Sequence, residues 1–386
     1  MVIKIFPLCD DLIPVGNAEV CKEYPIEILF CENCVTAHQR FQVPKRELFP
    51  STYHYRARFT ADVLNGMKSL VEASEAHVTT LKNKKVLDIG CNDGSLLSFF
   101  KEKGCETIGI EPTDAHLDAK NNGHVVYNAF FSVEAAETIL KNHGKPDVIT
   151  FTNVFAHIEN LPEVINALKL LSSPDTMIVI ENHYLGGVLA RKQFDTFYHE
   201  HPRSYSFTSF MYIAKSLGKD IQGVEFPSRY GGNIRIFIGG KVMPDNAEQK
   251  KKVLEEEKSY LNKFADLRAD INKWLAKKGE FLNSLKKDNQ KWKGKAFPGR
   301  AAILIKMLGI DESVISSVYE KPGSMKIGHY IPGTRIPILS DDTLFAGEKN
   351  KEILNFAWHI SDEIKSYLVD YGYTGKVINV IETEDF

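Results

Sequence analysis

Short apolar runs that end in glycine or a polar residue alternate with helix-period stretches through the middle of the chain. Lys85–Gly90, Glu106–Glu111, Asp147–Thr152 and Thr176–Glu181 are such runs, and each reads as a strand buried on both faces. Between them, Ser95–Lys103 and Leu161–Leu171 carry apolar residues at helical spacing. The alternation over 71–240 predicts a doubly wound α/β sheet. From Asn246 to Asn289 charge dominates, but Val253, Leu254, Tyr260, Leu261, Phe264, Leu267, Ile271, Trp274, Leu275 and Phe281 recur at helical spacing. Residues 241–294 therefore read as a helical connector with one buried face, not a nucleic-acid arm. The remainder, 295–386, again carries the short apolar runs of an α/β domain: Ala301–Ile305, Ile331–Ile338, Glu352–Trp358 and Lys376–Ile381. Residues 1–70 have few helical runs and form a small N-terminal domain.

Composition narrows the class. A chain of 386 residues, 43% hydrophobic and 25% charged, divides into two or three domains with ordinary cores. Forty-eight Lys and Arg against fifty Asp and Glu leave a net charge of −2, without the basic surplus needed to hold a nucleic acid polymer or an anionic membrane. No apolar run approaches the roughly 20 residues that span a bilayer. The opening residues lack the profile of a signal peptide, so a cytoplasmic location is expected. Four of the six cysteines, Cys9, Cys21, Cys31 and Cys34, fall within the first 34 residues. In a reducing compartment such a cluster is more often a metal site than a disulfide framework, and tetrahedral zinc takes four N or S ligands.

Candidate chemistry lies in two places. Asp88-Ile-Gly-Cys-Asn-Asp-Gly94 follows a strand and opens a helix. Gly90 lets the chain turn tightly, and Gly94 lets backbone approach a ligand at the helix N-terminus. A pyrophosphate loop would read G-x-G-x-x-G. Here acidic and amide side chains (Asp88, Asn92, Asp93) suit a cationic, phosphate-free ligand with an amine, the profile of S-adenosylmethionine (SAM). Glu111, ending the next strand, would hold the two ribose hydroxyls. Further on, Phe194-Asp-Thr-Phe-Tyr-His-Glu-His201 packs two imidazoles, a carboxyl and a phenol into positions 198 to 201. On an extended segment Tyr198 and Glu200 would share one face, and His199 and His201 the other. Imidazole is suited to removing a carbon-bound proton near neutral pH. Two further features are His157, just past a strand end, and the aromatic-basic stretch Tyr53-His54-Tyr55-Arg56.

Taken with Asn153-Val-Phe-Ala-His157, Tyr230-Gly-Gly-Asn-Ile-Arg235, Gly328-His-Tyr-Ile-Pro-Gly-Thr-Arg-Ile-Pro-Ile338 and Asn355-Phe-Ala-Trp358, these segments resemble the SAM-dependent sugar C-methyltransferases over nearly the whole chain. The resemblance implies a small zinc-binding N-terminal domain, a central Rossmann-like SAM-binding methyltransferase domain and a C-terminal α/β domain helping to hold substrate. It implies methylation of the carbon beside a keto group, typically C3 of a nucleotide-linked 4-keto-6-deoxy sugar. His201 matches the family's general base, and Tyr198, Glu200 and His157 match its companions. One of Tyr53 and Tyr55 matches a tyrosine reaching the same pocket. Asn153 joins the cofactor residues, and Tyr230, Gly231, Arg235, Arg300 and Thr334 fall where substrate is expected. The nucleotide-linked ketosugar and SAM are then the partners of a monomer or small homo-oligomer.

The chain departs from the pattern in several places. Cys31-Glu-Asn-Cys34 matches the family's second zinc pair, but the first pair is missing: either Cys9 and Cys21, at unusual spacing, replace it, or the metal is gone and packing holds the lobe. The common His-Gly-Gly is Tyr230-Gly231-Gly232, and a small-residue loop is replaced by Phe297-Pro-Gly-Arg-Ala-Ala302. Arg300 there can pair with a diphosphate or cap a helix. Two alternatives stay open. Methyl transfer to a sugar oxygen or nitrogen would use the same loop without requiring a ketone, and a non-catalytic SAM- or sugar-nucleotide-binding scaffold would have no use for a poised base.

Overall fold

The computed structural model describes residues 4–53, 55–240, 247–287 and 291–386. His54, the connector's start through Asn246 and its end at Asn289 lie outside the described residues, as does the side chain of Tyr230. In the N-terminal lobe, β1 (Lys4–Pro7) pairs antiparallel with β2 (Glu23–Ile26), and β3 (Ile28–Cys31) with β4 (Thr36–Gln39).

The central sheet starts with β5 (Lys85–Ile89), β6 (Glu106–Ile110), β7 (Val125–Tyr127), β8 (Val148–Thr152) and β9 (Met177–His183), mutually parallel. The next strand, β10 (Arg203–Ser204), leaves this sheet and pairs with β4, Arg203 opposite His38 and Ser204 opposite Ala37. β11 (Ile221–Glu225) and β12 (Asn233–Ile238) return to complete a seven-stranded order β11-β12-β9-β8-β5-β6-β7, with β12 antiparallel to both neighbours. Val86, Leu87, Ile108, Val148, Ile149, Ile178 and Val179 are fully buried, which is what apolar runs without alternation require. The strand order reverses at β5, flanked by β6 and β8. That opens a crevice at the strands' carboxyl ends, the usual ligand position in such sheets.

The C-terminal lobe has a parallel sheet of β13 (Trp292–Lys295), β14 (Ile315–Glu320), β15 (Ile338–Ser340), β16 (Ile353–Asn355) and β17 (Val377–Asn379), ordered β15-β14-β13-β16-β17. Its order reverses at β13, which places Pro298–Arg300 and Phe356–Trp358 just past the carboxyl ends of neighbouring strands. Ala301–Ile305 is not a strand but the start of helix Ala301–Leu308. A run apolar on every side signals complete burial in either conformation, and periodicity alone does not separate the two.

The connector forms helices Ala247–Glu257 and Tyr260–Lys287. Its apolar stripe enters the core: Trp274 is fully buried against Phe194, ring centres 5.0 Å apart, and its indole N–H donates to the Val380 carbonyl at 2.9 Å. Glu257 accepts the Phe207 and Thr208 N–H groups at 2.7 and 2.9 Å, capping helix Phe207–Ser216 from outside it. Anionic groups are stabilising at that helix end. Among the described residues no helix is long and apolar enough to cross a membrane.

Candidate active site

The cofactor loop is built as its residue types demand. Gly90 and Gly94 have φ of +71° and +79°. A Cβ on Gly90 would lie 2.6 Å from Val154, and one on Gly94 would lie 3.0 Å from the Ala119 backbone. Asp88 is buried and accepts the Thr150 hydroxyl at 2.7 Å; burial raises its carboxyl to about 7 despite that bond. Glu111, also buried, accepts the Thr113 N–H at 2.9 Å and hydroxyl at 2.6 Å on one oxygen, and the Asn92 N–H at 3.0 Å on the other. Those bonds orient the carboxylate and leave about one of its four lone-pair sites, on Oε2, for a further donor. Alongside it a cavity of about 590 Å³ runs past Pro112, Asn128, Ala129 and Phe130 at the ends of β6 and β7, within the range of small-molecule sites.

The side chains of Asn92 and Asp93 point elsewhere. Asn92 accepts the Ala57 N–H and donates to the Tyr55 carbonyl, both at 3.0 Å, and Asp93 accepts the Arg58 N–H at 2.9 Å. They hold the incoming chain, not an open ligand space. Asn153 adopts φ +54° and donates its N–H to the Glu181 carbonyl at 2.7 Å.

The segment 198–201 is a turn, not an extended strand. Its His201 N–H donates to the Tyr198 carbonyl at 2.9 Å, which brings the first and fourth residues together. Tyr198 and His201 therefore share a face, ring centres 4.4 Å apart, contrary to the alternation expected of an extended segment. His157 and His183 pack against His201 at 5.0 and 5.7 Å. The N-terminal lobe pins this turn: Gln39 donates to the Tyr198 and His201 carbonyls at 2.6 and 3.1 Å, and His199 Nε2 contacts the Tyr24 carbonyl at 3.0 Å.

His201 Nδ1 lies 3.0 Å from the Thr196 carbonyl. A carbonyl only accepts, so Nδ1 carries the proton and Nε2 keeps its lone pair. Burial lowers this imidazole to about 4, although the Thr196 carbonyl favours the charged form. Burial, with His201 nearby, also holds His157 well below its ordinary value. The opposite applies to the acids: burial, then the hydrogen-bonded Asp10 carboxyl, pushes Glu200 well above the carboxylate range. Tyr53 donates to Glu200 at 3.4 Å, whereas Tyr55 is 40% exposed, so Tyr53 is the one that reaches the pocket. Burial and Glu200 keep the Tyr53 and Tyr198 phenols protonated far above neutral pH. Tyr53, Tyr198, Glu200, Asp10, Met325 and His329 line a cavity of about 320 Å³ to which all three lobes contribute.

Several expected residues do other work. Arg235 is 1% exposed and spends its guanidinium on Glu181 and Glu225 at 2.7 and 2.6 Å, which makes it a structural ion-pair residue. Arg300 neither caps its helix by side chain nor stands free. It clamps Asp195 through two nitrogens, joined there by the Trp358 N–H at 2.9 Å, and so ties the C-terminal lobe to the segment before the turn. Thr334 bonds within its own turn, to the Ile331 carbonyl at 2.9 Å. Gly231, at φ +83°, accepts from Gln193 at 3.0 Å, and a Cβ there would strike that side chain.

The four-cysteine zinc site does not form. Cys9 is buried beside Gly299 and Glu200, and Cys21 Sγ accepts the Gly333 N–H at 2.9 Å. Cys31 and Cys34 are hydrogen-bonded to one another on the separate β3–β4 pair. Among the described residues no group of three or more His, Cys, Asp or Glu is arranged to hold a metal. Cys9 and Cys21 lie between β1 and β2, and Cys31 and Cys34 at the β3–β4 turn, so nearness in sequence did not bring the four together. The residues missed from sequence are Asp10, Gln39, His183 and His329. Asp10 and Gln39 lie far from the chemistry in the chain, and only lobe docking brings them in. His183, ending a strand two residues after Glu181, carried a signal of position.

Residues 56–226 match a methyltransferase domain family and residues 228–381 a C-methyltransferase C-terminal domain family. With the loop and the buried acid at the sheet's switch point, the chain is a SAM-dependent methyltransferase. It is similar over its length to the C-methyltransferase NovU of Streptomyces niveus, 26% identical over 351 residues, 88% of this chain and 82% of that protein. A ubiquinone biosynthesis O-methyltransferase of Acinetobacter baylyi is 24% identical over 107 residues, 26% of this chain and 44% of that protein. Among solved structures, the magnesium protoporphyrin IX methyltransferase of Synechocystis with bound SAH superposes at a TM-score of 0.36 and 16% identity, covering 46% of this chain and 83% of that one.

Proposed function

We propose that the enzyme deprotonates the carbon next to the keto group of a nucleotide-linked 4-keto-6-deoxy sugar and methylates it at C3. The observation that carries this reading is the state of His201: buried, fixed by the Thr196 carbonyl in the tautomer that leaves Nε2 unprotonated, and surrounded by groups that hold protons. SAM, held along Asp88, Gly90 and Glu111, supplies an electrophilic methyl group. His201 takes the α-proton. Because burial keeps its basicity low, the developing enolate must itself raise it, as a nearby negative charge does. Tyr53, Tyr198 and the proton shared by Glu200 and Asp10 are donors toward the enolate oxygen. The cavity beside this turn is lined from all three lobes, and the burial of His201 limits the water that could quench the carbanion.

The test pairs SAM with matched 4-keto and 4-hydroxy nucleotide sugars. The expected result is one added methyl on carbon, with the ketone only. Turnover of the 4-hydroxy sugars, or a methyl found on oxygen or nitrogen, contradicts the proposal.

A further inference from the structure

Asn92 was expected at the cofactor, yet its side chain is wholly engaged with the chain that carries Tyr53. Its backbone N–H donates to Glu111 Oε2 at 3.0 Å, while its side chain accepts from Ala57 N–H and donates to the Tyr55 carbonyl, both at 3.0 Å. Arg56 extends this clip: its guanidinium donates to the Tyr53 and Tyr55 carbonyls, both at 2.9 Å, and pairs with Asp118 at 2.7 Å. Asp93 holds the next amide, Arg58 N–H, and on the far side the Asp114 N–H holds the Ser51 carbonyl at 2.8 Å. Tyr53 then reaches Glu200. One contiguous set of hydrogen bonds thus joins the carboxylate expected under the ribose to the carboxyl in the reaction pocket.

We infer that Asn92 is a positioning residue that couples occupation of the cofactor loop to the placement of Tyr53 beside Glu200. This rests on the proposed reading of the two sites. A ligand shifts an equilibrium only through a contact that differs between its states. Here that contact is Glu111, whose oxygen is shared between the Asn92 N–H and an arriving hydroxyl. A ligand that orders residues 90–94 orders the amide clip with them. Coupling energies of this kind typically correspond to about 5- to 150-fold effects.

Asn92→Gly removes the clip while keeping the φ of +50° and the N–H to Glu111; Asn92→Asp keeps the acceptor for Ala57 and loses the donor to Tyr55. Hydrogen exchange reads the clip directly, at the Ala57 and Arg58 amides. In the wild type, SAH should slow both by about 5-fold or more, and in Asn92→Gly it should leave Ala57 unprotected. In kinetics, Asn92→Gly should lower kcat by about 10-fold and weaken SAH by about 5-fold, the reciprocal of the lost protection, with both partly restored in Asn92→Asp, and should lower kcat no further on top of Tyr53→Phe. Exchange insensitive to SAH, or additive losses in the double variant, overturns the coupling and leaves the proposed reaction standing. Full activity of Tyr53→Phe likewise overturns the coupling.

Discussion

Gln39 is the residue through which the N-terminal lobe should matter for catalysis. It is 3% exposed and its amide makes two bonds to the turn at 198–201, at 2.6 Å to Tyr198 and 3.1 Å to His201. Gln39→Ala leaves both carbonyls without this partner. The Tyr198 carbonyl still accepts the His201 N–H, so one buried acceptor is left unpaired and the loss is about 1–3 kcal/mol. The same change frees the turn that sets Tyr198 against His201, and a displacement of about 1 Å can cost on the order of 100-fold. The expected outcome is a fall in kcat of about 30- to 100-fold, a lowered Tm, and SAH affinity within about 2-fold, because the variant does not touch Asp88 or Glu111. Methyl-transfer kinetics, calorimetric SAH binding and a thermal melt supply the three numbers. Wild-type kcat alongside the expected drop in Tm would refute the reasoning, since the turn would then hold its geometry without the lobe.

Other outcomes follow from the same geometry. Glu111→Ala should weaken SAH binding by about 10- to 100-fold in calorimetry, the worth of charged hydrogen bonds lost from ribose. Burial lowers His157, His183, His201 and His359 from their ordinary value of 6.5, so in acid the unfolded chain binds more protons than the folded one. Stability is then full above about pH 6.5 and lost as pH falls below it, with a shallower slope in His201→Ala; equal slopes for the two would contradict the assignment. A strong chelator should leave the Tm unchanged, because strand pairing and Gln39 hold the N-terminal lobe. A drop of several degrees would restore the zinc.

The central sheet was legible because its strands are apolar on both faces, and β5, β6, β8 and β9 lie within two residues of the runs read for them. The position of Asp88 and Glu111 at strand ends was legible for the same reason. The turn was misread because two-residue alternation describes extended chain, and nothing local announced that His201 would bond back to Tyr198. The ion pairs of Arg235 with Glu181 and Glu225 and of Arg300 with Asp195 were not legible, because these residues meet only through sheet register and lobe docking. Charge partners at long range leave no mark in composition. The cysteines failed likewise, since Cys9 and Cys21 lie in the segment between β1 and β2 while Cys31 and Cys34 lie at the β3–β4 turn.

The claim that His201 removes a carbon-bound proton is tested most directly in heavy water without a methyl donor. Incubating the enzyme with a nucleotide-linked 4-keto-6-deoxy sugar and following deuterium by mass spectrometry and NMR isolates the first step. The account predicts deuterium entering C3 with the wild-type protein and not with His201→Ala, while SAH binds both alike. Equal exchange in the two proteins would contradict it.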